Sequence, residues 1–208
     1  MSAAQSAKAA PVMIGCCGAN LASLGFAFAR LGIEIEVSDD PARLASASHV
    51  VLPGVGAARN AMGRLDAHGL ATVLPTLTVP VLGICLGMQL MFRHSAEEDT
   101  PCLGIIDADI ARLPDAPDLP IPEMGWNQVV FDRESPLTQG IVSGSYAYFV
   151  HSYAAPLGPW ARATTDYGRP FASIVTQGNF YGTQFHPERS AAIGARILAN
   201  FLAIPSCS

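Results

Sequence analysis

The chain has 208 residues, 50% of them hydrophobic and only 14% charged. That is the composition of a globular unit able to bury a sizeable core, and it excludes extended disordered tracts. A formal net charge of −5 without any Lys/Arg run excludes a general nucleic-acid surface, and no uninterrupted apolar stretch of about 18 residues reads as a membrane span.

Residues 1–11 are Ala/Ser-rich with one Lys and no apolar h-region; they read as a disordered N-terminal extension and not as a targeting segment. A single domain is expected over residues 12–204. Within it, short apolar runs alternate with amphipathic stretches, the pattern of an α/β fold with a mostly parallel central sheet flanked by helices. The spacing predicts strands over 12–16, 33–37 and 50–52, the last running into Pro53, with helices over 21–31 and 59–68. A strand over 79–84 enters a tight turn, followed by a predicted helix over 86–94. The Pro-rich stretch 113–122 reads as a connecting loop, followed by strands over 129–131, 146–150 and 161–164. Strands over 172–176 and 180–184 form a predicted hairpin turning at Gln177-Gly178-Asn179, and 191–202 is the closing helix.

The turn after the fourth of these strands carries chemistry. Gly83 to Gln89 read G-I-C-L-G-M-Q, with very small residues two before and two after Cys85, as a nucleophile elbow requires of a strained strand-to-helix turn. A following helix would aim its first N–H groups at the sulfur. A cysteine in apolar surroundings is otherwise an inert core residue, so a base is needed. Of the five histidines, only His186 is followed by a carboxylate two residues on, in His186-Pro187-Glu188. Pro187 biases His186 toward extended geometry, in which residues i and i+2 share a side, so Glu188 can reach the imidazole. Taken alone, His-x-Glu is equally a metal pair or a strand end.

The cysteines Cys16, Cys17, Cys85, Cys102 and Cys207 are odd in number and lack C-x-x-C spacing, so neither a disulfide framework nor a metal knuckle is expected, and a reducing cytoplasm fits. Gly15 to Gly18 is not G-x-G-x-x-G and no P-loop Lys follows, so a tight turn is expected there and no nucleotide cofactor.

The elbow and the later H-P-E, in this order, resemble the class I (triad) glutamine amidotransferases. Pro53-Gly54-Val55-Gly56 resembles their oxyanion segment. The M-G-W-N-Q stretch 124–128, Y-F-V-H-S-Y over 148–153, the segment 163–168 and Q-F-H-P-E-R-S over 184–190 are similar to the glutaminase subunits of imidazole glycerol phosphate synthases, which act in histidine biosynthesis. The likeness runs from about Val12 to Leu202. It departs at Gly15-Cys16-Cys17, where the family usually has an Asp-Tyr-Gly type sequence, at Glu123, usually His, and at Arg189, usually Lys.

The resemblance implies Cys85 as nucleophile, His186 as base and Glu188 as its orienter, with the backbone N–H groups of Val55 and Leu86 as oxyanion hole. It further implies that Gly56, Gln89, His151, Ser152 and Tyr153 surround bound glutamine, His151 structurally more than catalytically. Asn20, Trp126, Tyr148 and Arg189 are then expected to face a partner, the (β/α)8-barrel cyclase subunit, which receives the ammonia. The chain shows no motif for an ammonia acceptor of its own, which fits such a heterodimer. Three other readings stay open: a glutaminase subunit of another synthase, such as that of pyridoxal phosphate; a catalytically silent regulatory subunit of the same fold; and a plain thiol amidase.

Overall fold

Fully buried apolar runs become parallel strands here, because only a strand covered on both faces can hide all of its side chains. The computed structural model describes residues 10–17, 20–115 and 117–206. Its first part comprises β1 (Val12–Met13), α1 (Leu21–Arg30), β2 (Glu36–Val37), α2 (Pro41–Ala45), β3 (Val50–Leu52), α3 (Ala58–Ala67), α4 (Leu70–Val73), β4 (Val81–Ile84) and the one-turn helix α5 (Leu86–Gln89). There follow β5 (Phe92–Ser95), β6 (Thr100–Pro101), β7 (Ile106–Arg112), β8 (Glu123–Phe131), β9 (Ser145–His151), β10 (Tyr153–Ala154), β11 (Ala161–Asp166), β12 (Pro170–Gln177), β13 (Phe180–Thr183) and α6 (Ala191–Leu202).

Nine strands form the main sheet in the order β2-β1-β3-β4-β13-β12-β11-β8-β9. Pairing is parallel from β2 through β13, the half that carries the elbow, and antiparallel from β13 outward to β9. Each face has its own core. Leu65 of α3 and Leu70 of α4 pack on one side with Val12, Val50 and Val81; Leu24 and Phe28 of α1 and Ile197 and Phe201 of α6 pack on the other with Met13, Val51 and Leu82. Alternate residues of one strand thus feed opposite cores, as the pleat dictates.

The predicted helix over 86–94 is corrected: α5 stops at Gln89, and Phe92–Ser95 is a strand. It belongs to a second, four-stranded sheet, β10-β7-β5-β6, that sequence patterning missed. Phe92 and Ser95 are buried, while Arg93 pairs with Asp107 at 2.5 Å and Asp109 at 3.0 Å, both on β7, so contacts from a distant segment override a locally helical composition. The alternation Ile106-Asp107-Ala108-Asp109-Ile110 was a readable strand signal inside that stretch. The expected N-terminal extension lies largely outside the described residues. Its last two are tied down: Ser48 N–H donates to the Ala10 carbonyl and Glu36 N–H to that of Pro11, both at 3.2 Å.

Candidate active site

Strand β4 delivers Cys85 to the carboxyl edge of the sheet, and the chain reverses there. Cys85 adopts φ 53°, ψ −111°, a positive-φ geometry that costs a non-glycine residue on the order of 1–3 kcal/mol. Its N–H still donates to the Thr183 carbonyl at 2.8 Å, which prolongs the β4–β13 ladder and helps to hold the turn. The two small residues are required by close approach: a Cβ on Gly87 would lie 1.9 Å from the Leu52 carbonyl oxygen, and one on Gly83 would lie 2.7 Å from that of Gly87. Both obstacles are backbone atoms, which cannot rotate away. Gly87→Ala is therefore expected to destabilise the fold by at least about 3 kcal/mol in urea unfolding. Gly63→Ala on α3, where a Cβ meets nothing within 4 Å, should be neutral or slightly stabilising, by up to about 1 kcal/mol.

His186 follows β13 and is 6% exposed. Its Nδ1 donates to Glu188 Oε1 at 2.9 Å, which leaves Nε2 for the Cys85 thiol. The contact is made differently from the sequence expectation: His186 is extended, at φ −93°, ψ 103°, but Pro187–Arg189 is a 3₁₀ turn that carries Glu188 back beneath the ring. Asn20 Nδ2 also reaches Glu188 Oε1, at 3.4 Å, and the Glu188 carboxylate is almost wholly buried. Burial alone would pull the His186 imidazole down; hydrogen bonds to Cys85 and Glu188, and the charge of both, outweigh it and push the group up to about 10. The ring therefore holds its second proton well past neutrality.

These groups open onto a cleft of about 580 Å³ lined by Val55, Gly56, Cys85, Leu86, Gln89, His151, Ser152, Tyr153 and His186, with Asn20 and Arg189 on its wall. That is room for a free amino acid. Cys85 Sγ lies 3.8 Å from the Val150 carbonyl and 3.8 Å from Gln184 Nε2. Gln184 was missed in the sequence, although its place two residues before His186 on an extended segment was the signal. Its Oε1 accepts from Gln89 Nε2 at 3.0 Å, and the same Gln89 nitrogen donates to the Tyr153 carbonyl at 2.7 Å. Trp126 and Tyr148 lie away from the cleft lining. They face each other across β8 and β9, edge to face at 6.0 Å, with the Arg189 guanidinium 5.0 Å over the Tyr148 ring. Met124, Trp126 and Tyr146 are all more than half exposed, an apolar surface beside the site.

The model of the family described as glutamine amidotransferase class-I matches residues 18–204. The chain belongs to the class-I glutamine amidotransferases. It is 52% identical over 190 residues to the imidazole glycerol phosphate synthase subunit HisH of Xylella fastidiosa (strain Temecula1), covering 91% of this chain and 95% of that one. With the subunit of the same name from Shewanella loihica it shares 50% identity over 198 residues, 90% of this chain and 87% of the relative. Among solved structures, a glutamine amidotransferase superposes with TM-score 0.70 at 18% identity over 92% of this chain and 96% of that one. A glutamine amidotransferase from Thermotoga maritima superposes with TM-score 0.63 at 19% identity, over 94% of this chain and 83% of that one. At such identities these two establish the fold.

Two features of this amidotransferase could not be read from motif order. The departure at Glu123 has a neighbour: strand register sets it opposite His151, and both side chains are buried, with Glu123 Oε2 3.0 Å from His151 Nε2 but without hydrogen-bond geometry between them. Asn127 Nδ2 donates to Glu123 Oε1 at 2.8 Å, and His151 Nδ1 donates to the Tyr153 carbonyl at 2.8 Å. The cleft segment 151–153 is thereby fastened to β8. The second feature is at the expected oxyanion segment. Val55 N–H points toward the Cys17 carbonyl, 3.4 Å away, whereas Leu86 N–H belongs to the first turn of α5 and has no partner four residues back.

Proposed function

We propose that the chain is the glutaminase subunit of an imidazole glycerol phosphate synthase, acting in histidine biosynthesis with a (β/α)8-barrel cyclase subunit that receives its ammonia. The observation that carries this reading is the identity of about half to synthase subunits along nearly the whole chain, together with a Cys85, His186, Glu188 constellation in a cleft of amino-acid size. Among the described residues no helix is long and apolar enough to cross a membrane, in keeping with work in the cytoplasm.

In the proposed reaction the Cys85 thiolate attacks the side-chain amide carbon of glutamine, and the carbonyl electrons move onto oxygen, facing Leu86 N–H. The His186 imidazolium gives its Nε2 proton to the departing nitrogen as the C–N bond breaks, which releases ammonia and leaves a γ-glutamyl thioester. Water then attacks the thioester while neutral His186 takes its proton, and the C–S bond breaks to free glutamate and restore the thiolate. Glu188 keeps the ring in the tautomer with hydrogen on Nδ1 and stabilises its charged form. Gln184 and Gln89 brace the wall beside the sulfur, and the 151–153 segment is positioned to meet the amino-acid end of the substrate.

Reconstitution tests the assignment. Mixed with the cyclase of the same organism, the chain is expected to convert glutamine and the phosphoribulosyl formimino aminoimidazole carboxamide nucleotide to imidazole glycerol phosphate and the aminoimidazole carboxamide ribonucleotide. Glutamine-dependent turnover only with the acceptor of some other synthase would overturn it.

The proton on His186 gives a second expected result. Because its folded value is about 10, glutaminase kcat/KM should hold through the mildly alkaline range and fall as pH passes about 10. Glu188 is one of the groups that raise the value, so Glu188→Gln should move this limb to lower pH by roughly a unit or more. An alkaline limb unmoved by that change would argue against Glu188 as the partner of the working imidazole.

A further inference from the structure

We propose that Cys16, Asp39 and His68 form a binding site for one thiophilic divalent cation, with Zn²⁺ as its typical occupant, outside the glutaminase cleft. One donor atom from each lies within 4.8 Å of the other two. They come from three separate places: the turn after β1, the residue two beyond β2, and the C-cap of α3. No linear spacing could have revealed the cluster, and Cys16 is one of the positions at which the sequence leaves the family pattern.

Thiolate, imidazole and carboxylate are together the donor set of a borderline-soft divalent ion. In a tetrahedral zinc site, bond lengths of about 2.0–2.3 Å set donor separations of roughly 3.3–3.6 Å. Closing from 4.8 Å asks for about 1 Å of movement, which the exposed His68 side chain and the half-buried Cys16 can supply by rotation. Asp39 is already fixed: its Oδ1 accepts the N–H groups of Gly15 at 2.8 Å and Cys16 at 2.9 Å, so Oδ2 is the oxygen left to bind. This second shell is the kind that orients a ligating carboxylate. Arg64, one helical turn before His68, donates to the Cys16 carbonyl at 3.3 Å and holds the loop against α3. A second sulfur, Cys17 Sγ, lies 3.7 Å from that of Cys16. Burial and neighbouring Cys17 and Asp39 raise the Cys16 thiol in the metal-free chain; the ion would displace its proton to solvent, Cys-SH plus Zn²⁺ giving Cys-S⁻–Zn²⁺ plus H⁺. The resulting thiolate and Asp39 carboxylate together neutralise the divalent charge, and water can fill the fourth position.

The site adjoins the catalytic machinery without sharing its residues. None of the three lines the cleft, yet Cys16 precedes the residue whose carbonyl receives Val55 N–H.

The test is a Zn²⁺ titration of the full chain, any purification tag removed, against a chromophoric chelator. It is run in a Cys85→Ser background so that the catalytic thiol and His186 do not compete. The expected result is one equivalent bound with a dissociation constant on the order of micromolar or tighter, accompanied by a rise in Tm. Cys16→Ser and His68→Ala should each weaken binding by at least about 10-fold, while Cys102→Ser leaves it unchanged. His68 is exposed, so its variant should keep the metal-free Tm and stay informative if Cys16→Ser folds poorly. Absence of stoichiometric binding, or binding that both variants leave intact, would overturn the proposal.

Discussion

Cys85→Ala, and equally Cys85→Ser, is expected to remove glutamine-dependent product formation in the assembled synthase by roughly 10⁴-fold or more, while the same complex still forms product from added ammonium salt. The split follows from the division of labour. The cleft around Cys85 carries the glutaminase groups, and the acceptor nucleotide is assigned to the cyclase chain. His186→Ala should behave in the same way, since His186 is the imidazole hydrogen-bonded to Cys85 that both thioester formation and its hydrolysis use to move the proton. Glu188→Gln should lose less: an amide oxygen can still accept from Nδ1, so orientation survives and only the charge stabilisation goes. Combining Cys85→Ala with His186→Ala should cost little more than either alone, because the residues act as one unit. The measurement is product formation with glutamine and with ammonium, on complexes shown to be assembled. Loss of both activities would count against placing acceptor chemistry on the partner.

Much of this site was legible because its requirements are local. The elbow announces itself through Gly83 and Gly87, and the structure supplies the reason: the Leu52 and Gly87 carbonyls leave no space for a Cβ. H-P-E was readable for a similar reason, a histidine and its carboxylate two residues apart, although the turn that joins them is 3₁₀ and not extended. What stayed hidden depends on partners distant in sequence. Residues 92–95 have a composition that suits a helix, and their strand is decided by Phe92 burial and by the Arg93 contacts to Asp107 and Asp109. Glu123 looked like a mere departure until strand register set it against His151. Gln184 alternates with His186 on one side of the chain, but only the fold brings it to the Cys85 sulfur.

The isolated chain is expected to be a poor glutaminase, and docking of the cyclase with nucleotide bound should raise kcat by roughly 10²-fold or more while changing the KM for glutamine little. The reason lies at Val55. Its N–H is spent on the Cys17 carbonyl across 3.4 Å, at the long end of hydrogen-bond geometry and so weakly held. Until that peptide turns, the oxyanion would meet one backbone donor from Leu86 instead of two. Gly54 permits the turn: the peptide that carries Val55 N–H lies between Gly54 and Val55, and its rotation is taken up at Gly54 ψ, where no Cβ restricts the backbone; a Cβ there would come within 2.5 Å of the Gly87 nitrogen. A donor that acts mainly on the tetrahedral oxyanion stabilises the transition state and not the bound amide, which is why the effect should fall on kcat. Moving the population toward the turned state by a factor of 100 takes about 2.7 kcal/mol of preferential partner binding, well within what one interface can provide. The residues proposed to receive that contact are Trp126, Tyr148 and Arg189, packed against one another beside the cleft, together with Asn20, whose amide touches Glu188. Steady-state kinetics of the chain alone, with cyclase, and with cyclase plus nucleotide decide the matter: equal kcat in all three would rule out partner gating and leave a free-standing amidase.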